Sequence, residues 1–199
     1  MNLEQLTEQL QRRLFVELEA SGRHVHVTEE QAQQLFGHGL TKKRALSQPG
    51  QYLANERVSV IGPKGAFRRV AVLGPCRKEA QVEISATDAV TLGIQAPVRL
   101  SGDTAETPGV VLEGPAGRVT LNGGVIIAQR HIHMTPEDAA LQNLSDGQTV
   151  RLKTLTNRPV VFEAVAIRVS PRFCTYVHLD FDEANACGLK PGDLGMILR

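Results

Sequence analysis

The stretch Arg23-His24-Val25-His26-Val27-Thr28-Glu29-Glu30 returns as Arg130-His131-Ile132-His133-Met134-Thr135-Pro136-Glu137, offset by 107 residues (131 − 24). Self-similarity over such a distance marks a duplicated unit. A second echo pairs Val82-Glu83-Ile84-Ser85-Ala86-Thr87-Asp88-Ala89 with Val177-His178-Leu179-Asp180-Phe181-Asp182-Glu183-Ala184, offset by 95 (178 − 83). Carrying 95 backwards sets Phe67, Val70 and Val72 on Phe162, Val165 and Ile167, and Arg77 on Arg172. The difference of 12 (107 − 95) predicts an insertion in the first copy, at residues 38–53, where Lys42-Lys43-Arg44 reads as a basic loop.

Around these echoes the chain reads as β. Residues 57–61, 68–73, 81–84, 110–112, 119–121, 125–129, 149–155, 160–169 and 175–179 form short runs rich in Val and Ile, bounded by Gly, Pro or Asp-Gly. Many short strands with frequent turn signals suggest barrels. The expected fold is mainly β, with two β-barrel domains related by internal duplication and a few short helices. Two of those helices start directly after the His pairs, one at a Thr28/Gln31 capping box and one at Thr135 followed by Pro136. Leu3, Leu6, Leu10 and Leu14 recur at near-helical spacing among polar residues. The division expected is an N-terminal amphipathic helix over residues 1–20, a first barrel over 21–122 and a second over 123–199, with exchange of strands between barrels allowed.

Composition removes several function classes. Hydrophobic residues are 42% of the chain and charged residues 22%, so there is a core to bury and no disordered composition. A net charge of +1 offers no broad basic face for nucleic acid, and no apolar run is long enough for a membrane span. Cys76, Cys174 and Cys187 are odd in number and lack the spacing of a metal knuckle, which together with the absence of a signal-peptide pattern points to a reducing intracellular setting. No cysteine has neighbours that would make it a nucleophile.

In a strand, residues i and i+2 share a face, so His24 with His26, and His131 with His133, each present two imidazoles side by side. A single His-x-His can equally be two half-exposed strand histidines. Repetition favours ligands, because the aligned third position holds Glu83 in one copy and His178 in the other. Two sites are therefore expected, His24/His26/Glu83 and His131/His133/His178. Both are ligand sets of catalytic zinc, with one position left for water or substrate. His38 falls outside them, in a surface loop. Arg77 and Arg172 stand before the third ligands, where a guanidinium can grip phosphate with two parallel hydrogen bonds or simply be solvated. Arg23 and Arg130 alternate to the opposite strand face and are read as structural partners.

These motifs resemble those of the PduL-type phosphate acyltransferases (phosphate propanoyltransferases) of bacterial microcompartments. The resemblance runs from about residue 20 onward. It is carried by Arg23-His24-Val25-His26, Gln48-Pro49-Gly50-Gln51, Gln81-Val82-Glu83-Ile84-Ser85, Gly124-Val125-Ile126, Ala128-Gln129-Arg130-His131-Ile132-His133-Met134 and Asp182-Glu183-Ala184-Asn185-Ala186. It implies two barrels, two zinc ions or other divalent metals on the six residues already selected, and coenzyme A and phosphate as substrates. It also implies Arg77 for phosphate, with Ser21, Arg44 and Asn185 near coenzyme A. The implied location is the microcompartment lumen, with the N-terminus as a tag for shell proteins and the free cytoplasm as the alternative; a homo-oligomer is compatible with it. Two other readings share the same ligands, a zinc-dependent hydrolase and a non-enzymatic metal-binding microcompartment module. From charge alone, the all-His site is expected to serve phosphate and the Glu83 site the coenzyme A sulfur.

Overall fold

The computed structural model describes residues 3–198. In chain order its elements are α1 (Leu3–Leu14), β1 (Val16–Ala20), β2 (His24–His26), α2 (Glu29–Phe36), β3 (Lys42–Ala45), β4 (Tyr52–Ile61), β5 (Ala66–Gly74), β6 (Gln81–Ile84), α3 (Ala86–Leu92) and β7 (Val98–Arg99). There follow β8 (Val111–Glu113), β9 (Arg118–Thr120), β10 (Val125–Ala128), β11 (His131–Met134), α4 (Pro136–Leu141), β12 (Thr149–Thr154), β13 (Val161–Val169), β14 (Tyr176–Leu179), α5 (Phe181–Cys187) and β15 (Leu194–Leu198). They group into two compact units, one of Gly22–Ala128 and one joining the chain through Ser21 to the chain from Gln129 onward.

The second of these units is a closed barrel in the order β1-β14-β11-β13-β12-β15. Alternation decides which residues fill it. Along Thr149–Thr154 exposed and buried positions alternate without a break. From β1, Val16 and Leu18 enter a core with Ile132, Met134, Leu152, Val165, Ile167, Val177 and Leu179, while Glu17 and Glu19 face the other way. β1 is parallel to β14 and antiparallel to β15, so it closes the barrel.

Residues 22–128 repeat the pattern as β10-β6-β2-β5-β4-β8, extended by β7 at one edge, by β9 at the other, and by β3 on β4. This sheet curls without closing. Its edges approach where Val125 donates its N–H to the Pro108 carbonyl at 3.1 Å.

Matching the two strand orders puts β10 in the place of β1. Each is the strand directly before a His-x-His pair, yet each pairs with strands of the other copy. β1 sets Glu19 opposite His178, and β10 sets Ile126 opposite Glu83. Those equivalences obey both sequence offsets, since 126 − 19 is 107 and 178 − 83 is 95. The leading strands of the duplicated halves are thus exchanged.

The same offsets reappear in the packing. Arg23 lies over the Phe67 ring at 4.1 Å and pairs with Asp88 at 2.6 Å. Arg130 lies over the Phe162 ring at 5.7 Å and pairs with Glu183 at 2.8 Å. Each carboxylate is the third helical residue of a capping box, closed by Ser85 on α3 and by Asp180 on α5, and each helix ends on a left-handed glycine, Gly93 or Gly188. A guanidinium between an aromatic face and a carboxylate ties the start of each His strand to the start of the helix that follows the strand of Glu83 or His178.

Three expectations are revised. Residues 16–20 form a barrel strand, because Val16 and Leu18 face its core, and they are no part of the N-terminal helix. The units divide at 21/22 and 128/129. Lys42-Lys43-Arg44 is not a loop; it lies in the exposed strand β3, whose pairing with β4 supplies the extra segment of the first copy.

Helix α1 is tied down from its last turn. Arg12 donates from Nε and from an Nη to Asp138 Oδ1 at 2.8 and 2.7 Å, and Gln142 Nε2 donates to the Arg12 carbonyl at 2.8 Å. Asp138 also accepts from the hydroxyls of Thr135 and Thr175. Leu6, Leu10 and Leu14 remain 39–49% exposed. Removing residues 1–14 should therefore cost chiefly the Arg12 contacts, roughly 1–3 kcal/mol, and lower the melting temperature by a few degrees. Removing residues 1–20 should unfold the barrel, because it also deletes Val16, Leu18 and the closing strand. Equal melting temperatures for the two truncations would contradict this assignment of β1.

Candidate functional site

The inward residues of β2 and β6 are Val25, Val82 and Ile84, which belong to the apolar core of residues 22–128. Alternation then turns His24, His26, Gln81 and Glu83 to the opposite face. Antiparallel register sets His24 against Glu83 and His26 against Gln81. In the barrel, Ile132, Val177 and Leu179 point into the core, and His131 stands against His178 with His133 against Tyr176. One register, repeated, gathers two clusters. In each of His24/His26/Glu83 and His131/His133/His178, ligand atoms lie within 4.8 Å of one another.

The chemistry of these groups fits divalent metal. His24 Nδ1 is 2.8 Å from the Gly22 carbonyl, and His131 Nδ1 is 2.8 Å from the Gln129 carbonyl. A carbonyl accepts only, so Nδ1 carries the proton in both rings and Nε2 keeps the lone pair a metal needs. His24 Nε2 and Glu83 Oε2 are 3.6 Å apart. That is long for a hydrogen bond, but close to the separation of about 3.4 Å between two ligands at about 2.1 Å on a tetrahedral ion. Among the described residues, the buried Nδ1 of His26 has no hydrogen-bond partner. In the second cluster the rings hold one another, with His131 and His133 centroids 4.6 Å apart and His133 stacked on Phe173 at 3.9 Å.

Electrostatics favour ligand protonation states at His26 and Glu83, while His24 is held toward its protonated form by Glu83. Burial pushes His26 well below the usual histidine range, and the charges of His24 and Arg77 add to this, so its imidazole is neutral. Burial opposes the charge on His24 as well, but Glu83 outweighs it and the net shift is upward. Burial would raise Glu83, yet the neighbouring imidazoles hold it far below the usual carboxylate range. Glu83 is thus an anion on a buried face.

Arg77 is coupled to this cluster through a short network. Its guanidinium donates to Ser101 Oγ at 3.1 Å, Gln81 Nε2 donates to Ser101 Oγ at 2.9 Å and to Glu83 Oε1 at 2.5 Å, and Gln81 Oε1 accepts from the Gly102 N–H at 2.8 Å. Arg172, its sequence equivalent, is exposed. Ser21 follows β1 and donates its N–H to the Leu179 carbonyl, Asn185 is exposed on α5, and Arg44 is exposed on β3 in the other unit. His38 is exposed beside Glu56 at 3.9 Å. Residues that sequence reading passed over are Gln81, Ser101 and Glu19, the last with Oε2 at 3.7 Å from His178 Nδ1. Gln81 had a signal, since period two places it on the face of Glu83; Ser101 and Glu19 arrive from distant segments and had none.

Comparison with known proteins agrees with the family resemblance of the sequence. A family model described as phosphate propanoyltransferase matches residues 17–190. A phosphate propanoyltransferase of Enterococcus faecalis is 54% identical over 96% of this chain and 92% of its own length. The protein of that name from Listeria monocytogenes is 51% identical over 99% of this chain and 93% of its own. One from Thermotoga maritima is 50% identical over 90% and 87%. A match over nearly all of both chains, covering both clusters and the exchanged strands, means that this chain belongs to the phosphate propanoyltransferase family.

Proposed function

We propose that this chain interconverts a short-chain acyl-CoA plus phosphate with acyl phosphate plus CoA, using two zinc ions or similar divalent metals held by His24/His26/Glu83 and His131/His133/His178. The observation that carries this reading is the paired clusters, each built on the same strand register, in a member of this family. The overall reaction is RCO–SCoA + HPO₄²⁻ ⇌ RCO–OPO₃²⁻ + HSCoA. A phosphate oxygen attacks the thioester carbon, the C–S bond breaks, and the phosphate proton ends on sulfur. Phosphate is already anionic near neutral pH, so no strong general base is required.

When bound, the metals would supply Lewis acidity toward the thioester carbonyl, a soft partner for sulfur and a template for phosphate. The protein's own task is to orient and neutralise. Arg77, steered by Ser101, places a permanent positive charge beside the His24/His26 cluster, where phosphate could be gripped through two N–H groups, so phosphate is placed at the Glu83 site and not at the all-His site to which charge alone assigned it. His26, neutral through burial, and ionised Glu83 need lose no proton before metal binds. Ser21, Asn185 and Arg44 are each proposed as contacts of coenzyme A, whose phosphates and adenosine suit polar groups; Asn185 and Arg44 are exposed and Ser21 is half-buried. Packaging in a microcompartment extends the same reading, with the exposed leucines of α1 as the face toward shell protein. Among the described residues no helix is long and apolar enough to cross a membrane.

Thiol release from propionyl-CoA should require phosphate, vanish after removal of metal by a strong chelator, and return with zinc or another divalent ion. Release that proceeds without phosphate would identify a hydrolase, and full turnover by verified metal-free protein would reject the metal assignment. In the same assay Arg77→Ala should raise KM for phosphate at least tenfold with little change for acyl-CoA, while Arg44→Ala should do the reverse. Parallel effects on both substrates would make Arg77 a structural residue.

A further inference from the structure

The exchanged strands leave a carboxylate beside each cluster, but in different places. In the first cluster Glu83 is a member, and the residue that β10 sets opposite it is Ile126, fully buried and apolar. In the second cluster His178 holds the equivalent position, and the residue that β1 sets opposite it is Glu19. Glu19, His178 and His131 are consecutive in one row across β1, β14 and β11, so their side chains share a face. Glu19 Oε2 stands 3.7 Å from His178 Nδ1. It is not among the residues whose ligand atoms lie mutually close, which are His131, His133 and His178. The Glu19 side chain is 36% exposed and keeps the freedom to close the gap of about 0.7 Å to an ordinary hydrogen bond.

We propose that Glu19 is the positioning residue for His178. It accepts the Nδ1–H of that imidazole, so that Nε2 faces the cluster, and it brings one negative charge to a ligand set that otherwise has none. The proposal rests on the metal reading above. The role that Gly22 plays for His24, and Gln129 for His131, is here taken by a side chain delivered by the exchanged strand. A consequence is that the charge contrast between the sites, which assigned phosphate to the all-His cluster, is partly offset. Each cluster has one carboxylate, bound directly in one and through an imidazole in the other.

The test is a zinc-competition titration of the whole chain against a chromophoric chelator. Glu19→Gln, which keeps the shape and removes the charge, should weaken one of two zinc equivalents about 10–100-fold and leave the other unchanged. Glu19→Ala should weaken the same equivalent at least as much. Glu17→Gln, on the same strand face and beside the Tyr176 hydroxyl, is the control for diffuse charge and should leave both at wild-type affinity. Wild-type affinity in Glu19→Gln, or equal weakening in Glu17→Gln, would overturn the proposal. His178→Ala separates the two layers: it must abolish one equivalent if the cluster binds metal, and its failure to do so would reject the metal reading itself.

Discussion

Two parallel pairings, β1 on β14 and β10 on β6, hold the rest of the structure in place. Each brings a strand that belongs by descent to one half onto the central ladder of the other. Without β1 the barrel would expose the edges of β14 and β15 and lose Val16 and Leu18 from its core. Bare edges and a thinned core are both costly to a sheet of this size. Exchange therefore makes the short stretch before each His pair a structural requirement and not a linker.

The clusters follow from the same pairings. Antiparallel register between β2 and β6, and between β11 and β14, fixes which side chain stands opposite each first histidine. Period two then brings the second histidine to the same face. Two candidate ligands come from one strand and the third from its neighbour, so little loop conformation is left to chance. The halves have diverged within that frame. Gln81 and Tyr176 occupy equivalent positions opposite His26 and His133, and Gln81 links its cluster to an arginine through Ser101.

Much of this was legible in the sequence because it is local or repeated. The His-x-His pairs, Glu83 and His178 emerged from self-alignment, and most strands from runs of β-branched residues bounded by turns. The caps at Thr28 and Thr135 were read from side chains that bond their own helix ends, which needs no tertiary information. Helices α3 and α5 were missed although Ser85 with Asp88 and Asp180 with Glu183 carry the same signature, because seven-residue helices show too little periodicity to stand out. Val16–Ala20 was absorbed into the preceding helix, since Val-Glu-Leu-Glu alternates over too few residues to break a helical pattern. Long-range pairing decides that segment, the strand character of Lys42–Arg44, and the neighbourhood of Glu19. No local propensity contains it.

The central claim is that each cluster is a metal site completed by the third residue of its own sheet. Anomalous scattering from crystals of zinc-loaded Glu83→Ala tests it directly. The predicted result is loss of the peak at His24/His26 with the peak at His131/His133 retained. Loss at His131/His133 with His24/His26 still occupied would show that ligands cross between the clusters and would contradict the account.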